Sequence, residues 1–490
     1  MPKIYKNLIG GQWCSPVDDA HYEAVSPATM KVLGKVPLSG PMDIDRAVKA
    51  AQLARPVLAA MSPWERSRLC LNIADQMEAR STELAEVLSS EQGKPLLSEA
   101  KPEVAKAIQG FREAAEHIKW MEGATISVAD ATKRVFTFRQ PRGVYGVITP
   151  WNFPINIPVE YLAPGLVAGN AIVWVPAPTT SICALKVAEC IMDAGAPDGS
   201  VNVVTGHGPV VGDALAIHEN VDGIGFTGSS ATGKLIAARA AGKAQLMELG
   251  GNGPVIVLND ADLDLAAAAI CMGSFVNAGQ ICSASERVLV DRRVADELTE
   301  KIVAIAKGVV LGDPMKANTT MGPLNNRGVA SKVADHISEA EAAGARILIG
   351  GKPRPELGSD LYYSPTVVTD VPRNSKLARE ETFGPVVPLI VCDSIEDIVN
   401  VALDDRLGLA ASVFTKRLDM AFYFSEILPA GLVNINERSS YWELHIPFGG
   451  GAGTDSGTGR IGGKHALEAM SVLKAVSVNV GRSVGERKLP

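Results

Sequence analysis

Between Pro41 and Gly123, apolar residues recur at three- and four-residue spacing through PMDIDRAVKAAQLARPVLAA, PWERSRLCLNIADQMEAR, STELAEVLSSEQG and KPEVAKAIQGFREAAEHIKWMEG. That period lays an apolar stripe along each segment and predicts packed amphipathic helices. Residues 131–143, ATKRVFTFRQPRG, alternate instead, as a half-buried hairpin strand does. From Val144 to Gly251 five short apolar runs, VYGVITP, NAIVWVPA, SVNVVTG, GIGFTGS and QLMELGG, are separated by helix-length stretches. Strands joined through helices run parallel with right-handed crossovers, and runs this continuously apolar suit strands covered on both faces. The pattern predicts a doubly wound α/β sheet that binds ligands at the carboxyl ends of its strands. A second α/β array runs from PVIVL to AGLVNIN, which places a boundary near residue 250. The last segment, LKAVSVNVG (473–481), alternates like an edge strand but has too little chain around it to build a sheet. It must pair with a distant segment or with another subunit.

Composition narrows the function. A chain of 490 residues is long enough for two to four domains. Lys and Arg total 47 against 54 Asp and Glu, so there is no overall basic field to hold nucleic acid or an anionic membrane. The seven cysteines are scattered without CxxC or Cys/His ligand spacing, which argues against a disulfide framework or a metal site. No apolar run approaches the roughly 18 residues of a membrane span, and MPKIYKNLIGGQW has no unbroken apolar h-region. The expectation is a cytoplasmic, reduced protein whose partner is a small molecule.

Two GxGxxG matches occur, at Gly223/Gly225/Gly228 and Gly457/Gly459/Gly462. The first lies within a strand rather than after it and the second has no strand before it, so neither fits the dinucleotide fingerprint. The stretch GFTGSSATGKLIAARAA reads better as a strand, a Gly/Ser turn and a helix start, whose free N–H groups can hold phosphate. The bland alternative is a plain βα turn.

Cys282, in FVNAGQICSASERVLV, sits among small and polar residues where a helix starting near Asp262 gives way to a strand near Arg287. Most cysteines are buried and inert, which suits Cys183, Cys190 and Cys271. A nucleophilic thiol needs a base or a positive setting, and the preceding helix offers its negative end, so something else must activate it. Glu248 ends an apolar strand in LMELGGNGP, where an apolar setting would raise its pKa toward that of a general base. Asn152, in ITPWNFPINIP, follows the first strand of the array; its amide can donate to an oxyanion, or simply form an Asx turn before Pro154.

Taken with GFTGS (225–229), GQIC (279–282), EETFGP (380–385) and PFGG (447–450), these segments resemble the NAD(P)-dependent aldehyde dehydrogenase superfamily from about Ile4 to about Val480. Glu248 and Cys282 lie 34 residues apart, similar to that family's interval between base and nucleophile. The resemblance implies a Rossmann-like cofactor domain, a second α/β catalytic domain and a small β oligomerisation extension. It implies thiolate attack by Cys282 on an aldehyde, with Asn152 stabilising the oxyanion. Water activated by Glu248 then releases the acid from the thioester. It implies NAD as cofactor, with NADP the alternative, contacted by Thr149, Pro150, Trp151, Val175, Pro176, Ala177, Pro178, Gly208, Gly212, Phe226, Thr227, Gly228, Ser229, Leu249, Gly250, Glu381 and Phe383. The expected substrate pocket comprises Arg112, Phe153, Ile157, Glu160, Tyr161, Ile281, Ser283, Arg438, Tyr441, His445 and Phe448.

The chain departs from the family pattern in two places. Val175 and Pro178 stand where a Lys and a Glu commonly grip the adenosine ribose; with no new Arg or Lys in that segment, NAD is favoured, and Thr179 and Thr180 are replacement ligands. Glu160 and Tyr161 stand where an aromatic residue and Lys are common. Glu160 either pairs with Arg112 or leaves Arg112 solvated on its helix. The expected division is 1–123 and 141–249 for the cofactor domain, 250–446 for the catalytic domain, 447–470 returning to the first, and 124–140 with 471–490 as an extension pairing subunits into a homodimer or homotetramer. A thiol hydrolase of the same fold and a non-catalytic binding protein are the rival readings.

Overall fold

Val144–Ile148 and Ala171–Val175 are buried at every position, as strands covered on both faces must be. The computed structural model describes residues 2–481; the last part of the expected extension, 482–490, lies outside the described residues. Each of the five runs predicted between Val144 and Gly251 is a strand, and together they form the parallel centre of an eight-stranded sheet. Its order is Gly457–Thr458, Ala244–Glu248, Gly223–Thr227, Val144–Ile148, Ala171–Val175, Val201–Val203, Asn7–Ile9, Gln12–Cys14. The two ends of this sheet are antiparallel additions. The N-terminal hairpin was not expected from the pattern, because two strands of three residues are too short to show a period.

The chain leaves Val144–Ile148 toward Ala171–Val175 on one side and later returns to Gly223–Thr227 on the other. Connections that diverge from one strand open a crevice at its carboxyl end. Pro150, Trp151 and Asn152 follow that strand directly; Gly228 and Ser229 follow its neighbour, and Glu248 ends the next one. Helices Pro63–Ala79, Lys101–His117 and Asn156–Ala168 pack against one another beside this sheet.

The second array folds into a seven-stranded sheet ordered Arg346–Ile349, Thr366–Thr369, Val386–Cys392, Arg287–Asp291, Pro254–Val257, Ala410–Phe414, Leu432–Ile435, parallel except at its first edge. The buried Arg287 reaches Asp405 at 3.1 Å and donates from Nε to the carbonyl of Asn252 at 2.9 Å. A third sheet pairs Ser471–Asn479 with Lys133–Pro141 over nine residues, with Thr125–Ile126 beyond. Phe136, Phe138, Leu473 and Val478 are exposed on it. Among the described residues no helix is long and apolar enough to cross a membrane.

The second GxGxxG match now has a structural explanation. Gly457, at φ +121°, lies opposite Glu248, and any Cβ there would strike the carbonyl oxygen of Met247. These glycines serve close backbone approach.

Candidate active site

Helix Leu263–Phe275 is started by the Asp262 side chain, which accepts from the N–H groups of Asp264 and Leu265. It breaks at Asn277 and Ala278, two consecutive left-handed residues with φ 52°, and the chain turns toward Cys282. Such residues cost of order 1–3 kcal/mol each unless their surroundings hold them. Here Asn277 accepts from Gln92 at 2.9 Å and donates to the carbonyl of Asn152 at 2.9 Å, while its own N–H binds Glu99 at 3.0 Å. Gln280 closes the turn by donating to the Asn277 carbonyl and accepting from the N–H of Asn325.

That network ties the Cys282 turn to the segment bearing Asn152. The amide of Asn152 is buried and donates to the carbonyl of Gln280 at 3.1 Å. A primary amide has two donor hydrogens, so one remains for a ligand. The backbone of Asn152 is held in turn by Lys94, a buried cation that also pairs with Glu103 at 2.5 Å.

Cys282 lies where two cavities meet. One, of about 260 Å³, is lined by Phe153, Ile157, Glu160, Ile281, Ser283, Trp442 and Phe448 among others, with Glu248 on its wall. The other, of about 190 Å³, is lined by Pro150, Trp151, Asn152, Gly228, Ser229, Gly250, Glu381 and Phe383, together with Val329 and Lys332. Thr227, Leu249 and Cys282 belong to both.

Glu248 is 2% exposed, and neither carboxyl oxygen has a hydrogen-bond partner. Burial pushes its pKa well above the usual carboxyl range, and Glu160 adds to the rise. Burial also pushes the Cys282 thiol up, assisted by Glu381, Glu248 and Glu160. Burial thus disfavours the charged form of both groups, and Arg460 works against it by lowering the Glu248 pKa.

The second cavity suits an extended dinucleotide. Glu381 accepts from the N–H of Gly251 at 3.1 Å, and Trp151 meets Phe383 edge to face at 5.6 Å. Ser229 caps helix Ser230–Arg239 by accepting from the N–H of Thr232. The buried Ser230 hydroxyl beside it has no partner, nor do the hydroxyls of Thr179 and Thr180. Unpaired buried donors at a helix start and beyond the strand Ala171–Val175 fit a phosphate and a ribose. Glu286, missed in the sequence, fixes the loop that carries Glu381: its two oxygens accept from the N–H groups of Thr382 and Phe383, both at 2.9 Å. Its position at the start of an apolar strand, SERVLV, was the available signal.

Several expected residues stand elsewhere. Thr149 is buried, its hydroxyl accepting from Trp174 at 2.8 Å, and Val175 and Phe226 are core residues. Gly212 is buried within helix Gly208–Ile217, which Gly208 begins, while Pro176, Ala177 and Pro178 follow the strand Ala171–Val175; none of these lines the groove beside Cys282. Arg112 is corrected: it pairs on the surface with Glu78 at 2.6 Å and never reaches Glu160. Glu160 instead faces Lys106, which precedes Arg112 by six residues on helix Lys101–His117 and so lies on a different side of that helix. Tyr161 is wholly buried behind the cavity, bonded to Thr227 at 2.7 Å. Arg438, Tyr441 and His445 lie outside the cavity wall: Arg438 rests against Met272, Tyr441 bonds Glu443, and His445 is exposed. From the same loop, Ser440 and Trp442 line it.

Comparison with known proteins agrees with this geometry. The model of the aldehyde dehydrogenase family matches residues 13–476. The chain is 38% identical to the alpha-ketoglutaric semialdehyde dehydrogenase of Bacillus subtilis (strain 168), over 97% of this chain and 98% of that one. Among solved structures it is similar to an NADP-dependent enzyme of E. coli, with a TM-score of 0.94 and 36% identity over 97% of this chain and 98% of that one. It is also similar to the aldehyde dehydrogenase of Bacillus cereus solved with NAD+, with a TM-score of 0.94 and 35% identity over 98% and 97% of the two chains.

Proposed function

Because the chain belongs to the aldehyde dehydrogenase family and oxidises aldehydes with NAD(P), we propose that Cys282 is the nucleophile, Asn152 the oxyanion donor and Glu248 the general base of that reaction. The observation that carries this is their convergence at the seam of two cavities, one for each reactant.

Cys282 Sγ adds to the aldehyde carbon as the thiol proton passes to water. The free amide hydrogen of Asn152 meets the oxygen as charge develops there, where a donor is worth most. A nicotinamide held by Glu381, Phe383 and Trp151 supplies the hydride acceptor when bound. Once the thioester stands on Cys282, the unpartnered carboxyl of Glu248 takes a proton from water, which attacks the acyl carbon and releases the acid.

NAD is the proposed cofactor. Val175, 1% exposed, gives the adenosine end no cation, and VPAPTT has no Arg or Lys to clamp a 2′-phosphate. The hydroxyls of Thr179 and Thr180 are the ligands offered in their place. We extend the proposal to the chain's division, with residues 1–123, 141–249 and 447–470 serving the cofactor, 250–446 the nucleophile, and 124–140 with the C-terminal strand pairing subunits. The separation of the eight-, seven- and three-stranded sheets supports it. A cytoplasmic setting is supported by seven cysteines none of which is disulfide-bonded.

The test is absorbance of reduced nicotinamide with NAD or NADP and a panel of aldehydes, against Cys282→Ala. Reduction lost in the variant supports the assignment. Equal rates in both proteins would remove Cys282 from the reaction.

A further inference from the structure

Lys106 lines the larger cavity and faces Glu160 without forming a close ion pair with it. Its ammonium donates to the carbonyl of Trp442 at 3.2 Å and lies 4.5 Å from the centre of that indole ring, a cation–π distance. Among the described residues no carboxylate comes within 4.0 Å of it. The nearby acids are otherwise engaged or turned to the cavity. Glu103 is matched by Lys94, and Glu160 accepts from Asn156 at 2.7 Å. An ammonium has three donor hydrogens, so two remain on the cavity side of Lys106.

We propose that Lys106 anchors a carboxylate at the far end of the aldehyde substrate, so that the physiological substrate is an oxo acid and not a neutral or cationic aldehyde. This rests on Cys282 being the nucleophile that fixes the other end of the same cavity. A cation withdrawn from water without a partner gains most from the one ligand that supplies the missing charge. Glu160 does not oppose it. Burial raises its pKa to about 8, so near neutral pH it stands as a neutral acid able to donate to the carboxylate's second oxygen. Burial raises Glu99 to about 7 and pushes Glu248 up as well, while burial lowers the pKa of Lys106 and Glu160 opposes that fall, so a ligand carboxylate supplies the charge that the ammonium lacks. Arg438 adds positive charge from outside the cavity, and Glu113 lies farther along the Lys106 helix.

Three aldehydes of matched chain length separate the alternatives: 4-oxobutanoate, butanal and 4-(trimethylammonio)butanal, assayed with the full-length enzyme at pH 7. The expected order of kcat/KM puts 4-oxobutanoate first. Lys106→Met is expected to lower the ratio of 4-oxobutanoate to butanal by about 10- to 100-fold, the worth of a charged hydrogen bond, with the loss in KM rather than kcat. Lys106→Arg should restore part of that ratio. An unchanged ratio in Lys106→Met that is folded by circular dichroism overturns the proposal. So does preference for butanal or for the cation in the unmodified enzyme. Equal turnover of all three overturns the anchor alone; no cofactor reduction with any of them overturns the assignment of Cys282 and the anchor with it.

Discussion

The hydrogen of Gly251 faces the carbonyl oxygen of Cys282 so closely that no Cβ fits between them. The turn after the base strand and the turn of the nucleophile are thus packed backbone to backbone. Gly251→Ala must push the Cys282 turn aside, and a displacement near 1 Å can cost about 100-fold in rate. The expected result is folded protein by circular dichroism with kcat down by about that factor; unchanged kcat would show that the turn tolerates the shift.

Glu248→Gln should separate the two halves of the reaction. The amide keeps the shape but cannot take a proton from water, so the acyl group stays on Cys282. Rapid mixing is expected to show one equivalent of reduced nicotinamide per active site, then turnover slowed by about 10²- to 10⁴-fold. Loss of the burst itself would place Glu248 in the first step.

The same carboxyl sets a pH dependence. Burial raises its pKa well above the usual carboxyl range, so its basic form grows as pH rises. Activity should climb from pH 7 into the alkaline range with a slope that Glu248→Gln abolishes. A flat wild-type profile would mean that ligand binding ionises the group before water attack.

Stability should move the other way. Burial raises the folded pKa of Glu91 to about 7 and that of Glu286 to about 8. The folded chain therefore binds more protons than the unfolded one. The associated stabilisation is complete below the unfolded value, about 4.3, and is lost as pH rises through 7 to 8. Tm should fall from pH 6 to pH 9, less steeply in Glu286→Gln. A Tm independent of pH in this window would contradict those ionisations.

Arg287 and Asp405 form an ion pair 2% and 7% exposed. Removing one partner leaves the other charge buried alone, typically costing about 3–5 kcal/mol. Arg287→Ala should lose that much in urea unfolding, with little change in the kinetics of whatever protein remains folded. A loss near zero would show that water reaches Asp405 in the variant.

The exposed pair Phe136 and Phe138, on the central strand of the small sheet with ring centres 6.4 Å apart, is the face proposed to join subunits. Light scattering should give a multiple of the 51.5 kDa chain, and Phe136→Glu with Phe138→Glu should give the monomer. A monomeric unmodified protein would end the oligomer proposal.

Much of this arrangement is legible in the sequence because it rests on local periodicity. Both parallel arrays show it, and Cys282, Glu248 and Asn152 stand at ends of regular elements where the chain must turn. What escaped notice depends on long-range contact. Nothing near Glu286 in sequence announces that it will hold Thr382 and Phe383, some 97 residues away, and nothing near Asn277 announces its bond to Asn152 across 125. Arg112 and Lys106 share a helix, and which of them faces the cavity depends on the helix's rotation against Asn156–Ala168. The pattern of FREAAEH leaves that rotation ambiguous by a fraction of a turn. The short N-terminal strands escaped for a simpler reason, since three residues carry no measurable alternation.

Because the two cavities share only Thr227, Leu249 and Cys282, the molecule has two doors and a single reacting atom between them. On the assignment proposed above, the acyl group stands on one side of that sulfur and the dinucleotide on the other. Traffic on the two sides is coupled only through the sulfur of Cys282, and a compound lodged behind one door inhibits competitively against one reactant while leaving the other free to enter.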